Sequence, residues 1–239
     1  PSLYLWSGNT RPFAAAIRAT RTYGVRNLNG GDSRFDSLYP SHAYVSALAR
    51  RVDGERQIYA GNANETIYTE GWTPPFDRFR LLSETLRNTE APRRLKPFNV
   101  YYHMYSGERP ESLAAVKLHL DTARAAPVVP VHASHYAAIA DAFFDVTITQ
   151  ISTDSWRIAT RGALQTMRFD GAATLEPDYA RSSGLLGHTH HQGSLYVALD
   201  PGRSEALLAL AKPSPKGLRT TPARPYLVDS RWPLAGLHI

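Results

Sequence analysis

The stretch Asn99-Val-Tyr-Tyr-His103-Met-Tyr105-Ser-Gly sets a histidine after a short apolar run and beside a glycine-containing loop. An imidazole changes charge near neutral pH, so it can hold a proton and deliver it to a leaving group. In amide hydrolysis the departing amine needs that proton. Asp32, after Gly30-Gly31, stands at a comparable polar tip. There it can orient His103 and favour the protonated ring through its opposite charge. Arg11, just after Ser7-Gly8-Asn9, can pair with a carboxylate or grip substrate with its planar fork. Each also has a plainer reading. The histidine can be a strand-end hydrogen-bonding group, Asp32 a turn cap, and Arg11 a surface residue in the first turn of a helix.

Other groups carry less chemistry. Gly187-His188-Thr-His190-His191 gathers three histidines in four residues, a pattern that invites a metal. It lies between Leu185-Leu186 and Gly193, where a hairpin turn is expected, and no carboxylate stands beside it as a further ligand. It reads as an exposed hairpin. His132 and His135 are spaced to share a helical face, yet one ends an apolar stretch and the other begins a helix. His119 and His42 read as structural. Trp6, Tyr59, Tyr68, Trp72, Tyr101, Tyr102 and Tyr105 cluster around the polar tips, and flat rings of this kind stack on sugar faces or fill a core. There is no phosphate-cradling glycine loop, no Gly-x-Ser-x-Gly elbow and no dinucleotide fingerprint.

The elements that must position these residues alternate through the first half. Strands are expected at Leu3–Trp6, Val25–Asn29, Gln57–Ala60, Phe98–Tyr105 and Val128–Val131. Helices are expected from Arg11 to Arg21 with Thr10 as cap, near Ala43–Arg50, over Phe76–Asn88, over Pro110–Arg124, and from Ser134 to Phe144 with Ser134 as cap. Strand followed by helix, repeated, argues parallel βα units, and polar tips at the strand ends suit an active face of a (β/α) barrel. Beyond residue 145 the period changes to two: Val146–Ile151, Trp156–Thr160, Leu164–Phe169, Ser194–Leu199 and Ala206–Leu210 read as short strands with turns such as Asp170-Gly171 between them. That pattern suggests a β-sandwich. The division expected is therefore 1–145, part of an α/β barrel, and 146–239, a small β-rich domain. Its Pro-rich end, from Lys212 onward, reads as loops or edge strands.

Composition narrows the class. Apolar residues make up 43% and charged residues 20% of the 239, a balance that excludes a disordered chain. No apolar run approaches the roughly 20 residues of a membrane span, and no signal peptide opens the sequence. Pro1 is not an initiator Met, and a strand starts almost at once, so the chain reads as shortened at its N-terminus. The net charge of +6 comes from scattered arginines; the densest group is only Arg93, Arg94 and Lys96, which does not make a nucleic-acid surface. Without cysteine there is no disulfide framework, thiolate nucleophile or thiolate metal site.

The order of segments is more telling than any one of them. Trp6-Ser-Gly-Asn-Thr-Arg-Pro, Asn27-Leu-Asn-Gly-Gly-Asp, Gln57-Ile-Tyr-Ala-Gly-Asn-Ala-Asn-Glu65, Thr89-Glu-Ala-Pro-Arg-Arg-Leu-Lys-Pro and Asn99-Val-Tyr-Tyr-His-Met-Tyr-Ser-Gly follow one another. This resembles the later part of the deacetylase region of PelA-type proteins, related to NodB-type polysaccharide deacetylases. The resemblance spans about residues 3–145 and continues less specifically into the β-rich tail. It implies the C-terminal portion of a distorted (β/α) barrel that removes N-acetyl groups from an amino-sugar exopolysaccharide of a biofilm matrix, in the periplasm, alongside exopolysaccharide-export proteins. It also implies a divalent metal, zinc foremost, held by an Asp and an HxxxH pair. No HxxxH occurs in this chain, so those ligands are expected upstream of Pro1, and the chain alone is expected to be inactive. By the same resemblance His103 is the general acid, Asp32 tunes it, and Arg11 partners the catalytic base. Asn9, Trp6, Tyr105 and Trp72 are candidates to line the substrate.

Two other classes fit parts of the pattern. One is a non-catalytic saccharide-binding protein centred on the β-rich tail. The other is a glycoside hydrolase using a carboxylate pair such as Glu65 and Asp32.

Overall fold

Polar tips follow short strands in the computed structural model of the chain, which describes residues 2–8, 10–91, 94–213 and 236–238. Its residues divide into two units, Pro1–Val128 and Val129–Ile239. Asn9, Arg93 and most of the Pro-rich end lie outside the described residues.

In the first unit, β1 (Leu3–Leu5) leads through α1 (Ala14–Thr22) to β2 (Arg26–Asn29), which runs parallel to β1 with Leu5 opposite Leu28. Two further strands, β3 (Ala49–Val52) and β4 (Glu55–Tyr59), form an antiparallel hairpin, and β4 pairs in parallel with β2. The sheet order is β1-β2-β4-β3. Between Val52 and Glu55 the chain turns on Asp53-Gly54, both at positive φ, as a tight hairpin whose twist matches its strands requires. Arg18 and Arg21 of α1 both bond Glu55 at 2.9 Å, which ties the helix to β4. The Arg21 hydrogen bond, with help from Arg18, holds the Glu55 carboxyl down at about 2.

Beyond β4 come α2 (Glu65–Tyr68), a 3₁₀ turn over Phe76–Leu81, α3 (Leu82–Asn88) and α4 (Pro110–Ala125). Tyr68, Phe79, Leu82, Leu86, Ala115 and Val116 bury one another, with Phe98 and Val100 packed against them. The helix expected over Phe76–Asn88 thus begins as a 3₁₀ turn, and α1 starts at Ala14, with Phe13 rather than Thr10 at its cap position. Near Ala43–Arg50 only His42–Tyr44 is helical, and Ala49 already belongs to β3.

Two expected strands do not form. Residues 94–103 carry no regular structure, because side chains occupy the backbone groups a ladder would use. Asn62 Nδ2 donates to Asn99 O at 2.6 Å, and the His103 N–H donates to Glu65. Residues 128–131 also form no strand; Pro127 and Pro130 remove two N–H donors there. The two units meet at this point, so α5 (Ala133–Asp145) falls in the second unit, whereas the expected division came after it. At the cap position of α5 stands His132, not Ser134.

The second unit continues with β5 (Thr147–Ser152), β6 (Ser155–Ala159), β7 (Thr166–Phe169), β8 (Glu176–Pro177), β9 (Leu185–His191), β10 (Ser194–Leu199), β11 (Ala206–Ala211) and β12 (Gly236–His238). They make two four-stranded sheets, β12-β7-β10-β9 and β5-β6-β11-β8. Ile158, Met167, Leu195, Val197, Leu199 and Leu208 come from both sheets into one apolar cluster. Among the described residues no helix is long and apolar enough to cross a membrane.

One buried histidine gives the first unit a pH dependence. His119 on α4 has no exposed surface; its Nε2–H donates to Phe79 O at 2.8 Å. Burial pushes its imidazole below the ordinary value of 6.5. The unfolded chain therefore binds the proton first, so the stability contributed by neutral His119 is complete above about 6.5 and is lost as pH falls below it. Denaturant unfolding at pH 7.5 and pH 5 should show a larger loss for the wild type than for His119→Gln, which keeps a donor but does not titrate. Equal losses would contradict this account.

Candidate active site

The C-terminal ends of β1, β2 and β4 come together with the segment 99–105. Asn62 N donates to Gly30 O at 3.3 Å and Ala63 N to Ser33 O at 3.3 Å, so the chain beyond β4 lies against the loop beyond β2. Gly30 is required there: a Cβ would stand 2.9 Å from the Tyr101 ring, and Gly8 O is 3.8 Å away. Asn64 caps α2 by accepting from Ile67 N at 3.2 Å. Its first helical residue, Glu65, then points inward with no exposed surface.

Glu65 Oε1 accepts twice from one residue. The backbone N–H of His103 and the ring Nδ1–H both reach it at 2.8 Å. Its Oε2 is buried and has no hydrogen-bond partner. The His103 side chain keeps 38% of its surface exposed, so a buried carboxylate grips one ring nitrogen while the imidazole itself remains reachable. The Tyr105 ring stacks on the imidazole, 4.9 Å between centroids and 8° from parallel, with its hydroxyl 3.0 Å from Nδ1 and also bonded to Thr66 Oγ1. Burial pushes the Tyr105 phenol up, so it stays protonated at neutral pH. Tyr101 lies 5.4 Å from the imidazole at 45°. Trp72 meets Tyr105 edge-on at 4.7 Å and packs on Phe76 at 5.1 Å.

The helix that presents Glu65 and Thr66 is itself anchored. Arg34, buried with Asp36, bonds it at 2.9 Å and donates from Nη1 to Ile67 O at 3.1 Å. Its guanidinium lies over the rings of Tyr39 and Tyr68 at 4.0 and 4.6 Å. Beyond the helix, Glu70, Gly71 and Trp72 all have positive φ, an unusual run that Gly71 N→Thr66 O (2.8 Å) and Trp72 N→Thr69 Oγ1 (3.1 Å) hold in place. The loop that carries Trp72 is thus tied to the helix that carries Glu65.

Of the residues named from sequence, His103, Tyr105 and Trp72 come together here. His103 begins a 3₁₀ turn over Met104–Glu108 after an irregular segment, not at the end of a strand. The carboxylate that meets its ring is Glu65, a residue the sequence offered only as part of a hydrolase pair and a polar tip. Asp32 is half-buried in the loop after β2. Trp6 is half-buried, its indole N–H donating to Asn27 Oδ1 at 3.1 Å and its ring 4.6 Å from Tyr4. Arg11 is exposed.

His188, His190 and His191 lie on β9, not on a turn; the turn is Gln192-Gly193. His188 stands opposite Val197 and His190 opposite Leu195, so these two share a face. His190 Nε2–H donates to Leu175 O at 2.8 Å, and His188 Nδ1 is 2.9 Å from the Tyr179 hydroxyl, which fastens the segment 175–179 to β9. Burial pushes the His188 imidazole down. Among the described residues no group of three or more His, Asp or Glu is placed to hold a metal ion, so they supply no ligand set for the divalent metal that the resemblance implies.

No protein-family model matches the chain, and no curated protein or solved structure matches it either.

Proposed function

We propose that the first unit carries the acid side of a polysaccharide N-deacetylase site. The observation that carries this reading is the 2.8 Å contact between buried Glu65 Oε1 and His103 Nδ1, beneath an imidazole that is still partly exposed. A carboxylate on Nδ1 fixes the ring and leaves Nε2 as the working nitrogen. When water adds to the acetyl carbonyl and the C–N bond breaks, the electron pair stays on nitrogen, and Nε2–H of His103 protonates the leaving amine. The described residues hold no ligand set for the divalent metal that the resemblance implies. Half-buried Trp72, beside Tyr105, is an aromatic ring of the kind that stacks on sugar faces.

The geometry favours this over a glycoside hydrolase. Glu65 has no exposed surface and its Oε1 is engaged by His103, so it cannot reach a glycosidic oxygen. In the same reading the parallel strands β1, β2 and β4 belong to a (β/α) barrel, and the second unit is a β-sandwich accessory domain that contacts the polymer. A periplasmic setting and export-protein partners come with the resemblance.

The test is to incubate the natural full-length protein with an N-acetylated amino-sugar polymer and follow acetate and chain length together. Acetate without shortening is expected. Shortened chains without acetate, or binding without turnover, would refute the reading. A second expectation concerns the wall of the site. In Gly30→Ala the new methyl must displace the Tyr101 ring, which flanks His103, so the rate of acetate release should fall about 10- to 100-fold. An unchanged rate would remove Tyr101 from the account.

A further inference from the structure

We propose that the end of the first unit opposite His103 is a docking surface for an anionic lipid bilayer. It is independent of the deacetylase reading, because it lies at the other ends of the strands. The arginines are scattered in the sequence, but the topology gathers six of them. α1 joins two parallel strands, so its C-terminal end, with Arg18 and Arg21, lies beside the start of β2, where Arg26 stands. β4 runs parallel to β2 and starts with Glu55-Arg56. Its antiparallel partner β3 ends with Arg50-Arg51-Val52, just before the Asp53-Gly54 turn, and Arg51 stands directly opposite Arg56. All six therefore come to the N-terminal ends of β2 and β4, whereas Glu65 and His103 lie beyond the C-terminal ends.

The charge at this end is one-sided. Residues 14–28 and 49–59 hold the six arginines, no lysine and two carboxylates, Asp53 and Glu55. Glu55 is buried and taken by Arg18 and Arg21, whose own side chains remain 54% and 67% exposed. Arg26, Arg50 and Arg51 are exposed as well. The arginines come from a helix and from three strands, so the charge covers an area rather than a line. An area matches the headgroup phosphates of a bilayer, which planar guanidinium forks can pair, better than it matches the single thread of a soluble polymer. In the turn from α1 to β2, between Arg21 and Arg26, Tyr23 is 83% exposed. A phenol there has the apolar body and polar tip that suit the boundary between headgroups and hydrocarbon.

The experiment is co-sedimentation of the chain with vesicles of phosphatidylcholine alone and of an equal mixture of phosphatidylcholine and phosphatidylglycerol. Binding is expected to the mixture only. Raising salt from about 0.1 M to about 1 M should release the protein, because the screening length falls from about 10 Å to about 3 Å. Arg50→Gln/Arg51→Gln, on the exposed strand at the sheet edge, should lower vesicle affinity about 25-fold, about fivefold for each arginine. Arg50→Lys/Arg51→Lys changes the same two positions but keeps the charge, and should bind within about threefold of wild type. Tyr23→Ser should weaken binding severalfold and leave its salt dependence unchanged. Equal binding to neutral vesicles, wild-type affinity in the Gln variant, or an equal loss in the Gln and Lys variants would overturn the proposal. So would capture by soluble polyglutamate without binding to either vesicle, which would mark the surface as a site for a soluble acidic polymer.

Discussion

If the proposed deacetylase reading holds, alanine at His103 is expected to lower acetate release by roughly 10²–10⁴ and to leave KM within about twofold, the usual loss when a general acid is removed. The size of the effect follows from the chemistry. A departing amide nitrogen is a poor leaving group until it is protonated, and His103 is a group whose ring is both held by Glu65 and partly exposed. The fold should survive the change, because the Glu65 contact to the His103 backbone N–H at 2.8 Å does not need the ring. Thermal unfolding of the variant checks that point. A rate within tenfold of wild type would remove His103 from the reaction.

Glutamine at Glu65 is expected to cost roughly 10- to 150-fold, the value of about 1.5–3 kcal/mol for a hydrogen bond to a charged group. The amide oxygen can still accept from the His103 N–H, so the segment around residue 103 keeps its course. What disappears is the charged acceptor that grips the ring. Because Glu65 has no exposed surface, substrate does not touch it, and the loss should appear in kcat with KM unchanged. A rise in KM alone would mean that residue 65 shapes binding instead.

Legibility in the sequence followed the range of the interactions. β1, β2 and β4 were readable because a short apolar run with a polar end is a local signal. The hairpin β3–β4 is not expected from the sequence although Asp53-Gly54 is a tight-turn dipeptide, because the residues before it, near Ala43–Arg50, have a helical pattern. The strand expected over Phe98–Tyr105 has the right composition, but Asn62 and Glu65, remote in sequence, satisfy its backbone in place of a ladder. The histidines of β9 were placed on a turn because Gly187 and Gly193 bracket them; only the Gln192-Gly193 end turns. His103 was found from its place after an apolar run. Its partner was not, since 38 residues separate Glu65 from His103 and spacing says nothing over that distance.

The most direct test of the central claim, that Glu65 acts through His103, is a double-mutant cycle on acetate release. If the two residues work as one unit, His103→Ala/Glu65→Gln is no slower than His103→Ala alone, within about twofold. A double variant whose loss equals the product of the two single losses would show that Glu65 and His103 act independently, and would contradict the account.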